Sequence, residues 1–459
     1  MFGDLMIGAV AFAARAAALL WASGRFPAAA DGIYYHALAV RIAHGLGSTW
    51  LWPDGKITYA AHYPIGYPAL LALAYKLGGD SAAVGGWMNA VLGTIAAIAA
   101  YRLALQLTTP RWAFAAGLGV AFHPGLVMYT PALMTEGVAA ALLVIGAWAA
   151  SRRSRGGLVA SGVVMGVATL IRPQSLLLAP CWGSVCAEGG APLQQRLRRA
   201  GVATALALAV CAPWTARNCV RMHQCALVSF NGGWNLLIGA SDEASGSWSP
   251  VAVPEACRSV WDEAEKDACF GREARRNIAQ NPARWLGLIP ARLAATFDYA
   301  GAPGFYLHES NPGAFGDRAK LVLGIIETAY ERLFYLAALI TAAMIQGPRR
   351  KARGYVAAVS TVLLFQVHAY LAVLGLALSL ALLGKRLLDG PVLPAATFFA
   401  VAATAAVHAV FFGSGRYSML TFPLITALGF GFGSLFTGLT AGTSERDTRN
   451  PDEETTRCP

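Results

Sequence analysis

The sequence predicts an all-α polytopic membrane protein, and three observations support this prediction. Of its 459 residues, 56% are hydrophobic and 13% are charged, whereas about a quarter of the residues in an average soluble domain are charged. The mean hydropathy is +0.49, and several apolar runs approach the roughly 20 residues that a helix needs to cross a bilayer. The charged residues lie in short clusters between these runs, so membrane topology explains the net charge of +11 more simply than nucleic-acid binding does. The same composition excludes a soluble enzyme.

The first apolar run, residues 5–23, is about the length of one membrane-spanning helix. It contains Arg15 and lacks the short apolar core of a cleaved signal peptide, so we expect a retained first helix. Residues 24–79 are polar and rich in aromatic side chains. Irregular backbone of this kind cannot lie in lipid, because its polar groups would have no partners, and we predict a loop outside the bilayer.

Basic clusters at residues 152–155, 196–199 and 349–353 indicate the cytoplasmic side of the membrane. Threading the chain between them puts the loop after the first helix, the 131–136 turn and the segment from Pro213 on the opposite, extracytoplasmic side. In a bacterium that side is the periplasm, and the protein would be a multi-pass protein of the inner membrane. The apolar runs between the first loop and residue 213 span residues 84–107, 112–129, 133–150, 158–171, 176–186 and 202–212.

Hydropathy drops over residues 215–320, where 11 Lys and Arg balance 11 Asp and Glu. This composition predicts a neutral extracytoplasmic subdomain, with one helix over 262–280 that ends at Asn281-Pro282. Apolar runs follow it, and one of them, residues 355–383, is too long for one ordinary crossing and too short for two. The predicted organisation is an N-terminal membrane module (1–214) with the extracytoplasmic loop 24–79, the subdomain 215–320, C-terminal membrane helices (321–440) and a disordered tail (441–459).

Two features of the first loop could carry chemistry. Asp31 directly follows the first helix, where a carboxylate held near a cavity could act as a general base toward a hydroxyl. It could equally be an interfacial acid that caps the helix beginning nearby. The second feature is the turn His62-Tyr63-Pro64-Ile65-Gly66-Tyr67-Pro68, which leads into leucine-rich sequence at helical spacing and predicts a helix along the membrane surface.

These features, with Asn89 after them, resemble the GT-C fold of polytopic glycosyltransferases. The nearest group is that of the protein mannosyltransferases and RgtA/B/C/D-like enzymes, and the lipid A aminoarabinose transferases are more distant. The resemblance, together with the apolar runs, implies a bundle of about 11 to 13 transmembrane helices with extracytoplasmic loops. Further matches, in the same order along the chain, are Met134-Thr135-Glu136, Ile171-Arg172-Pro173, Pro213-Trp214, Arg217-Asn218, Asn231-Gly232-Gly233-Trp234-Asn235-Leu236 and Gly415-Arg416-Tyr417 before Pro423.

The resemblance implies transfer of a hexose or pentose from a polyprenyl phosphate donor to a lipid, glycan or protein acceptor at the extracytoplasmic surface, usually with inversion. Asp31 would then take the proton of the acceptor. Cations would stabilise the departing lipid phosphate, and we expect Arg172, Arg217 and Arg416 to converge with Asp31 on one cavity. Each arginine could instead extend to the interface or pair with a structural carboxylate. The further candidates for binding substrate or phosphate are His62, Tyr63, Tyr67, Glu136, Asn231 and Tyr417.

The sequence departs from the group's pattern at one position. Members often carry a second acid beside the first, and Gly32 stands there in this chain. Glu136 could supply the missing carboxylate, although a glutamate at a helix N-terminus is also favourable by its charge alone. His62 occupies the place of an acid of the lipid A branch and could bind a metal or phosphate. No cofactor is certain, and a divalent metal is possible.

Four cysteines, Cys219, Cys225, Cys257 and Cys269, fall in the predicted extracytoplasmic segment, where disulfides can form. On one continuous helix, Cys257 and Cys269 would lie about 18 Å apart, beyond the ~7 Å limit for a bridge. A helix that begins late, near Asp262, would allow the chain to turn back. We predict the pairs Cys219–Cys225 and Cys257–Cys269, and expect Cys181, Cys186 and Cys211 to be buried small apolar residues.

The rival hypothesis is a transporter of polyprenyl-linked sugars or other lipids without transferase activity. Charged residues that face a cavity serve transport equally well. A transporter needs polar groups at mid-membrane or on both faces, however, whereas the candidate residues of this chain collect at one predicted surface.

Overall fold

The computed structural model describes residues 2–366 and 368–433, and helices dominate it. Within these residues the only two strands, β1 (Thr49–Leu51) and β2 (Ile57–Tyr59), pair antiparallel as a hairpin. The helices are α1 Phe2–Ala22, α2 Asp31–Ala43, α3 Gly66–Gly78, α4 Ala82–Ala104, α5 Pro110–Ala121, α6 Pro124–Met128, α7 Thr135–Ala150, α8 Arg155–Ile171, α9 Ala179–Val185, α10 Leu193–Arg221, α11 Gly232–Ala240, α12 Glu263–Gln280, α13 Pro282–Gly287, α14 Ile289–Phe297, α15 Ala302–Ser310, α16 Asp317–Met344, α17 Arg350–Leu364, α18 Ala369–Ala381, α19 Lys385–Asp389, α20 Val392–Val410 and α21 Phe422–Gly429.

The chain is an integral membrane protein, and the all-α prediction is confirmed. Among the described residues, the helices α1, α4, α10 and α20 are long and apolar enough to cross a bilayer. Shorter apolar helices accompany them at Thr135–Ala150, Arg155–Ile171, Ala369–Ala381 and Phe422–Gly433. The total number of crossings and the domain boundaries stay predictions.

Two of the apolar runs have helix bounds that hydropathy does not predict. The 355–383 run is two helices, α17 and α18, with a break around Phe365–Gln366. The 202–212 run belongs to the longer helix α10, which continues through Pro213 to Arg221. The predicted disordered tail, 441–459, lies outside the described residues, and so does the end of the last apolar run, 420–439.

The first loop is structured, and it contains α2, the hairpin and α3. The Tyr67 side chain is buried, and its hydroxyl lies 3.2 Å from Asn89 Nδ2 in α4. Asn89 in turn donates to the carbonyl groups of Thr130 and Ala132. These bonds fix the His62–Pro68 turn against α4 and against the segment that precedes α7.

Helix α7 lies in the core: 13 of its 16 residues are buried. Most of them are alanine, valine, leucine or glycine, and small side chains let neighbouring membrane helices approach closely. Glu136 stands in the first turn of this helix. Its backbone is therefore held by the packing of the whole bundle.

The structure confirms both predicted disulfides. Cys219 and Cys225 are bridged with their Cα atoms 4.2 Å apart. The Cα atoms of the bridged pair Cys257 and Cys269 are 5.9 Å apart, because Cys257 lies in a short 3-10 turn and α12 begins only after Asp262. The predicted helix over 262–280 is confirmed as well. Of the other cysteines, Cys186 and Cys211 are buried as predicted, whereas Cys181 is only half-buried, so the prediction is wrong for that residue. Cys458 lies outside the described residues.

Candidate active site

Asp31 is the first residue of α2, and a tight turn presents it. The amide of Gly32 donates to the carbonyl of Ala29 at 2.9 Å, and Ala30, the first central residue of this turn, has φ 49° and ψ −135°. A positive φ at that position defines a type II′ turn and favours glycine. Alanine adopts it at a cost of order 1–3 kcal/mol, so the surrounding contacts hold Asp31 in a conformation that the local sequence disfavours.

The two oxygens of the Asp31 carboxylate have different partners. Arg416 Nη1 donates to Oδ2 at 3.0 Å, and the Tyr63 hydroxyl donates to Oδ1 at 3.4 Å. The Asp31 side chain is 32% exposed. Unlike a core ion pair, this carboxylate can therefore be reached from solvent.

Arg416 also faces a second acid. Its Nε lies 3.5 Å from Glu136 Oε1, and Arg172 Nη1 donates to the same oxygen at 2.8 Å. Glu136 is buried, and its other oxygen accepts from the Tyr129 hydroxyl at 3.4 Å. Two guanidinium groups and two carboxylates thus form one chain in the order Asp31, Arg416, Glu136, Arg172.

Local sequence explains how the two arginines reach this position. Arg172 precedes Pro173, which disfavours helical backbone at the residue before it, and Arg172 is accordingly extended at the end of α8. Arg416 lies in the 3-10 turn Gly415–Leu420 between α20 and α21. A Cβ atom at Gly415 would lie 2.4 Å from the carbonyl oxygen of Tyr299, so glycine is required for this approach.

Tyr417 orients both guanidinium groups. The Cζ atom of Arg172 lies 5.0 Å from the centre of its ring and that of Arg416 lies 5.2 Å from it, which are distances of cation–π contacts. Gln174, with its amide oxygen turned toward Arg172, accepts from Nε at 3.0 Å and from Nη2 at 3.1 Å. The arginines are therefore held in place by contacts that do not depend on their carboxylate partners alone.

Aromatic rings of the first loop surround Tyr63. The Tyr34 ring stacks on that of Tyr63 with centroids 5.1 Å apart, and the rings of Trp50 and His62 contact it edge-on. Burial, and then the charge of Asp31, raise the pKa of Tyr63 above its ordinary value. Tyr63 thus remains protonated and is a donor to Asp31.

Tyr34 and Trp50 were not expected from the sequence. Tyr34 could have been found, because it stands three residues after Asp31 and a helix brings such residues to one face. Trp50 reaches Tyr63 only through the fold of the hairpin, and no local pattern indicates it.

Three other candidates lie apart from this cluster. Arg217 Nη2 donates to the carbonyl of Ser48 at 2.9 Å, and its guanidinium group lies against the rings of Trp214 and Tyr59. None of the contacts found among the described residues joins Arg217 to Asp31, because α10 continues far enough to carry it to the hairpin. Tyr67 is part of the core. Asn231 precedes α11 and accepts from the Ser229 hydroxyl at 3.0 Å.

In the group's pattern a second acid stands at the position of Gly32. Atoms of Leu133 and Tyr306 fill the space around that position. A Cβ atom at Gly32 would lie 3.0 Å from the carbonyl oxygen of Leu133 and 3.0 Å from the Tyr306 hydroxyl. That hydroxyl accepts from the amides of Ala29 and Leu133. A larger residue at position 32 would need these groups to move.

The described residues do not fit a metal ion held jointly by Asp31 and Glu136. Both acids face Arg416 rather than each other, so a cation already lies between them. No group of three or more His, Cys, Asp or Glu side chains with the proximity of metal ligands occurs within residues 2–366 and 368–433.

Comparison with known proteins supports the resemblance described above. Residues 62–216, about a third of the chain, match the model of the dolichyl-phosphate-mannose-protein mannosyltransferase family. That match confirms the resemblance to the protein mannosyltransferase group. No match to a curated protein is found.

The likeness to a solved structure supports the fold class. The apo oligosaccharyltransferase of Archaeoglobus fulgidus has a TM-score of 0.51 at 14% identity, over 99% of this chain and 53% of that chain. The protein thus spans about half the length of the oligosaccharyltransferase, and its fold is of the GT-C type. ArnT of Cupriavidus metallidurans bound to undecaprenyl phosphate also matches, with a TM-score of 0.41 at 15% identity, over 98% of this chain and 81% of that chain.

Proposed function

We propose that this protein is a glycosyltransferase that moves a sugar from a polyprenyl phosphate donor to an extracytoplasmic acceptor. The observation that carries the proposal is the chain of charges Asp31, Arg416, Glu136 and Arg172. It combines a reachable carboxylate with two guanidinium groups, and these are the parts needed to take a proton from an acceptor and to hold a departing phosphate. The family matched over residues 62–216 uses dolichyl-phosphate mannose by its description, which supports a polyprenyl phosphate donor.

On the acceptor side, Asp31 is the general base. An acceptor hydroxyl placed against its carboxylate would give up its proton to Asp31 while the oxygen attacks the anomeric carbon of the sugar. The Tyr63 hydroxyl holds one oxygen of the carboxylate. This contact leaves the other oxygen to receive the proton once Arg416 releases it.

On the donor side, Arg416 and Arg172 bind the phosphate. The bond between the anomeric carbon and the phosphate oxygen breaks, and the negative charge stays on the lipid phosphate. Guanidinium groups match phosphate oxygens in a bidentate manner, and Tyr417 and Gln174 keep them oriented. Attack on the face of the sugar opposite the departing phosphate inverts the anomeric centre.

The ion pair between Asp31 and Arg416 gives the reaction an order. Without donor, Arg416 occupies one oxygen of the proposed base. The donor phosphate competes with Asp31 for Arg416, and its arrival frees the carboxylate. Donor binding therefore precedes productive binding of the acceptor.

The location of the reaction follows from the predicted topology. Asp31, the Tyr63 turn and the start of α7 belong to segments that the basic clusters place opposite the cytoplasm. We propose that the site faces the periplasm or the cell exterior, at a height where the head group of a membrane-embedded lipid can reach it.

The test is a deletion strain analysed by mass spectrometry of its envelope lipids, glycans and glycoproteins. The proposal predicts that one sugar disappears from an envelope molecule and that its polyprenyl phosphate form accumulates. Complementation with the wild-type gene should restore the sugar. An unchanged envelope and unchanged lipid-linked sugars, in cells shown to make the protein, would contradict the proposal.

A further inference from the structure

A carboxylate far from Asp31 in the sequence holds the turn that carries Tyr63. Glu263, the first residue of α12, uses both of its oxygens on the first loop. Its Oε2 accepts from the amides of Ala61 at 2.7 Å and of His62 at 2.9 Å. Its Oε1 accepts from the indole Nε1 of Trp50.

The start of α12 does not need this carboxylate. Asp262 already caps the helix, because its side chain accepts from the amides of Ala264 and Glu265 at 2.9 and 3.0 Å. Glu263 is thus available for partners that lie about 200 residues away in the sequence. A glutamate that only favoured the helix dipole would stay exposed, as its neighbour Glu265 does.

The contacts of Glu263 lead directly to the site. Tyr63 directly follows the two residues whose amides donate hydrogen bonds to Glu263. The Trp50 ring packs against the Tyr63 ring. Tyr63 in turn donates to Asp31. Hydrogen bonds from neutral donors to an ionised acceptor are stronger than bonds between neutral groups, so one carboxylate holds both the backbone before Tyr63 and the Trp50 ring that packs against it.

The segment has further support on its other face. The amide of Phe230 donates to the carbonyl of Ala61 at 2.9 Å, and Ala61, Met222, Phe230 and Ala264 form a small apolar cluster. This cluster keeps α12 and the turn in contact. Loss of the Glu263 charge alone should therefore loosen the turn without detaching the subdomain.

We infer that Glu263 is a positioning residue for the transfer reaction, which holds Tyr63, and through it Asp31, in the geometry needed for proton transfer. This inference rests on the proposed function. It assigns to the extracytoplasmic subdomain a direct part in building the acceptor side of the site. The donor side, at Arg172 and Arg416, has no contact with Glu263 among the described residues.

The test compares Glu263→Gln with the matched control Glu265→Gln in the full-length protein. Glutamine keeps the size of the side chain, but it is neutral, and its NH2 group would replace one of the two oxygens that face N–H donors. We expect a loss of sugar transfer of about three- to tenfold in Glu263→Gln, comparable to the loss of the Tyr63 hydrogen bond that it positions, measured in the deletion strain as recovery of the missing sugar at equal protein level. Binding of undecaprenyl phosphate to the purified variant should stay within about twofold of wild type, and Glu265→Gln should resemble wild type in both measurements.

Hydrogen exchange provides a readout that does not depend on activity. Peptides covering residues 59–64 should exchange faster in Glu263→Gln than in wild type or Glu265→Gln, because the charged acceptor of two amides is replaced by a neutral and weaker one. Wild-type exchange in that segment, or wild-type transfer by Glu263→Gln, would overturn the assignment. Equal losses of transfer and of undecaprenyl phosphate binding would also overturn it, since they indicate a general fold defect. A wild-type protein that transfers no sugar would overturn the proposed function, and this assignment with it.

Discussion

Replacing Asp31 by asparagine should separate the two tasks of the site. Asparagine keeps the size of the side chain but cannot accept a proton, so transfer should fall by at least the ~10²-fold that a general base contributes. The same change removes the carboxylate that competes with phosphate for Arg416. We therefore expect Asp31→Asn to bind the lipid phosphate more tightly than wild type does, although it is inactive.

The size of the gain in affinity follows from the exposure of the pair. A hydrogen bond to a charged group contributes about 1.5–3 kcal/mol when it is buried. The side chains of Asp31 and Arg416 are 32% and 26% exposed, and solvent screens such a pair. We therefore expect the binding free energy of the lipid phosphate to improve by about 1 kcal/mol, which corresponds to roughly fivefold tighter binding.

The assay is a titration of the purified protein in nanodiscs with undecaprenyl phosphate. The control is Asp242→Asn, which removes one negative charge at an exposed position outside the charge chain and should leave the affinity unchanged. Unchanged or weaker binding by Asp31→Asn, with a normal unfolding temperature, would refute the competition between Asp31 and phosphate. Tighter binding by both variants would show that the effect is only one of net charge.

Three further substitutions test other parts of the site. Glu136→Gln should abolish transfer and lower the free energy of unfolding by about 3–5 kcal/mol, because it removes the buried negative charge between Arg172 and Arg416. Wild-type transfer, or a thermal unfolding curve indistinguishable from that of wild type, would contradict the role of this buried acid. Tyr63→Phe should fold normally and lose about three- to tenfold in transfer, since it loses only the donor to Asp31, and a transfer rate equal to wild type would show that this bond is dispensable. The double replacement of Cys257 and Cys269 by serine should lower the free energy of unfolding of the predicted subdomain 215–320 by about 3 kcal/mol, the loop-closure contribution expected for a short loop. Equal unfolding temperatures of the oxidised wild type and the variant would contradict this prediction.

The sequence was sufficient for the fold class and for part of the candidate site. Hydropathy and basic clusters indicate a polytopic bundle because lipid allows few ways to satisfy backbone groups. Asp31 stands out because it follows the first helix. The Tyr63 turn stands out because it contains prolines and a glycine. Helix rise set the condition for a Cys257–Cys269 bridge, namely a turn between them, and the late start of α12 meets it.

The rest of the site depends on contacts between distant segments. Arg217 carries the same charge as Arg416, but the continuation of α10 past Pro213 takes it to the hairpin. Glu263 resembles any acid in the first turn of a helix, and only the packing of α12 against the first loop reveals its partners. Charge and spacing do not encode such long-range pairings.

The most direct test of the central claim is reconstitution with materials from the deletion strain. Its lipid extract should contain the accumulated polyprenyl phosphate sugar, and its envelope should contain the acceptor that lacks this sugar. Purified wild-type protein in vesicles should move the sugar from the lipid donor to this acceptor and leave polyprenyl phosphate, whereas Asp31→Asn should not. If the sugar stays on its lipid while the protein carries that lipid across the bilayer, the protein is a transporter and the account is wrong.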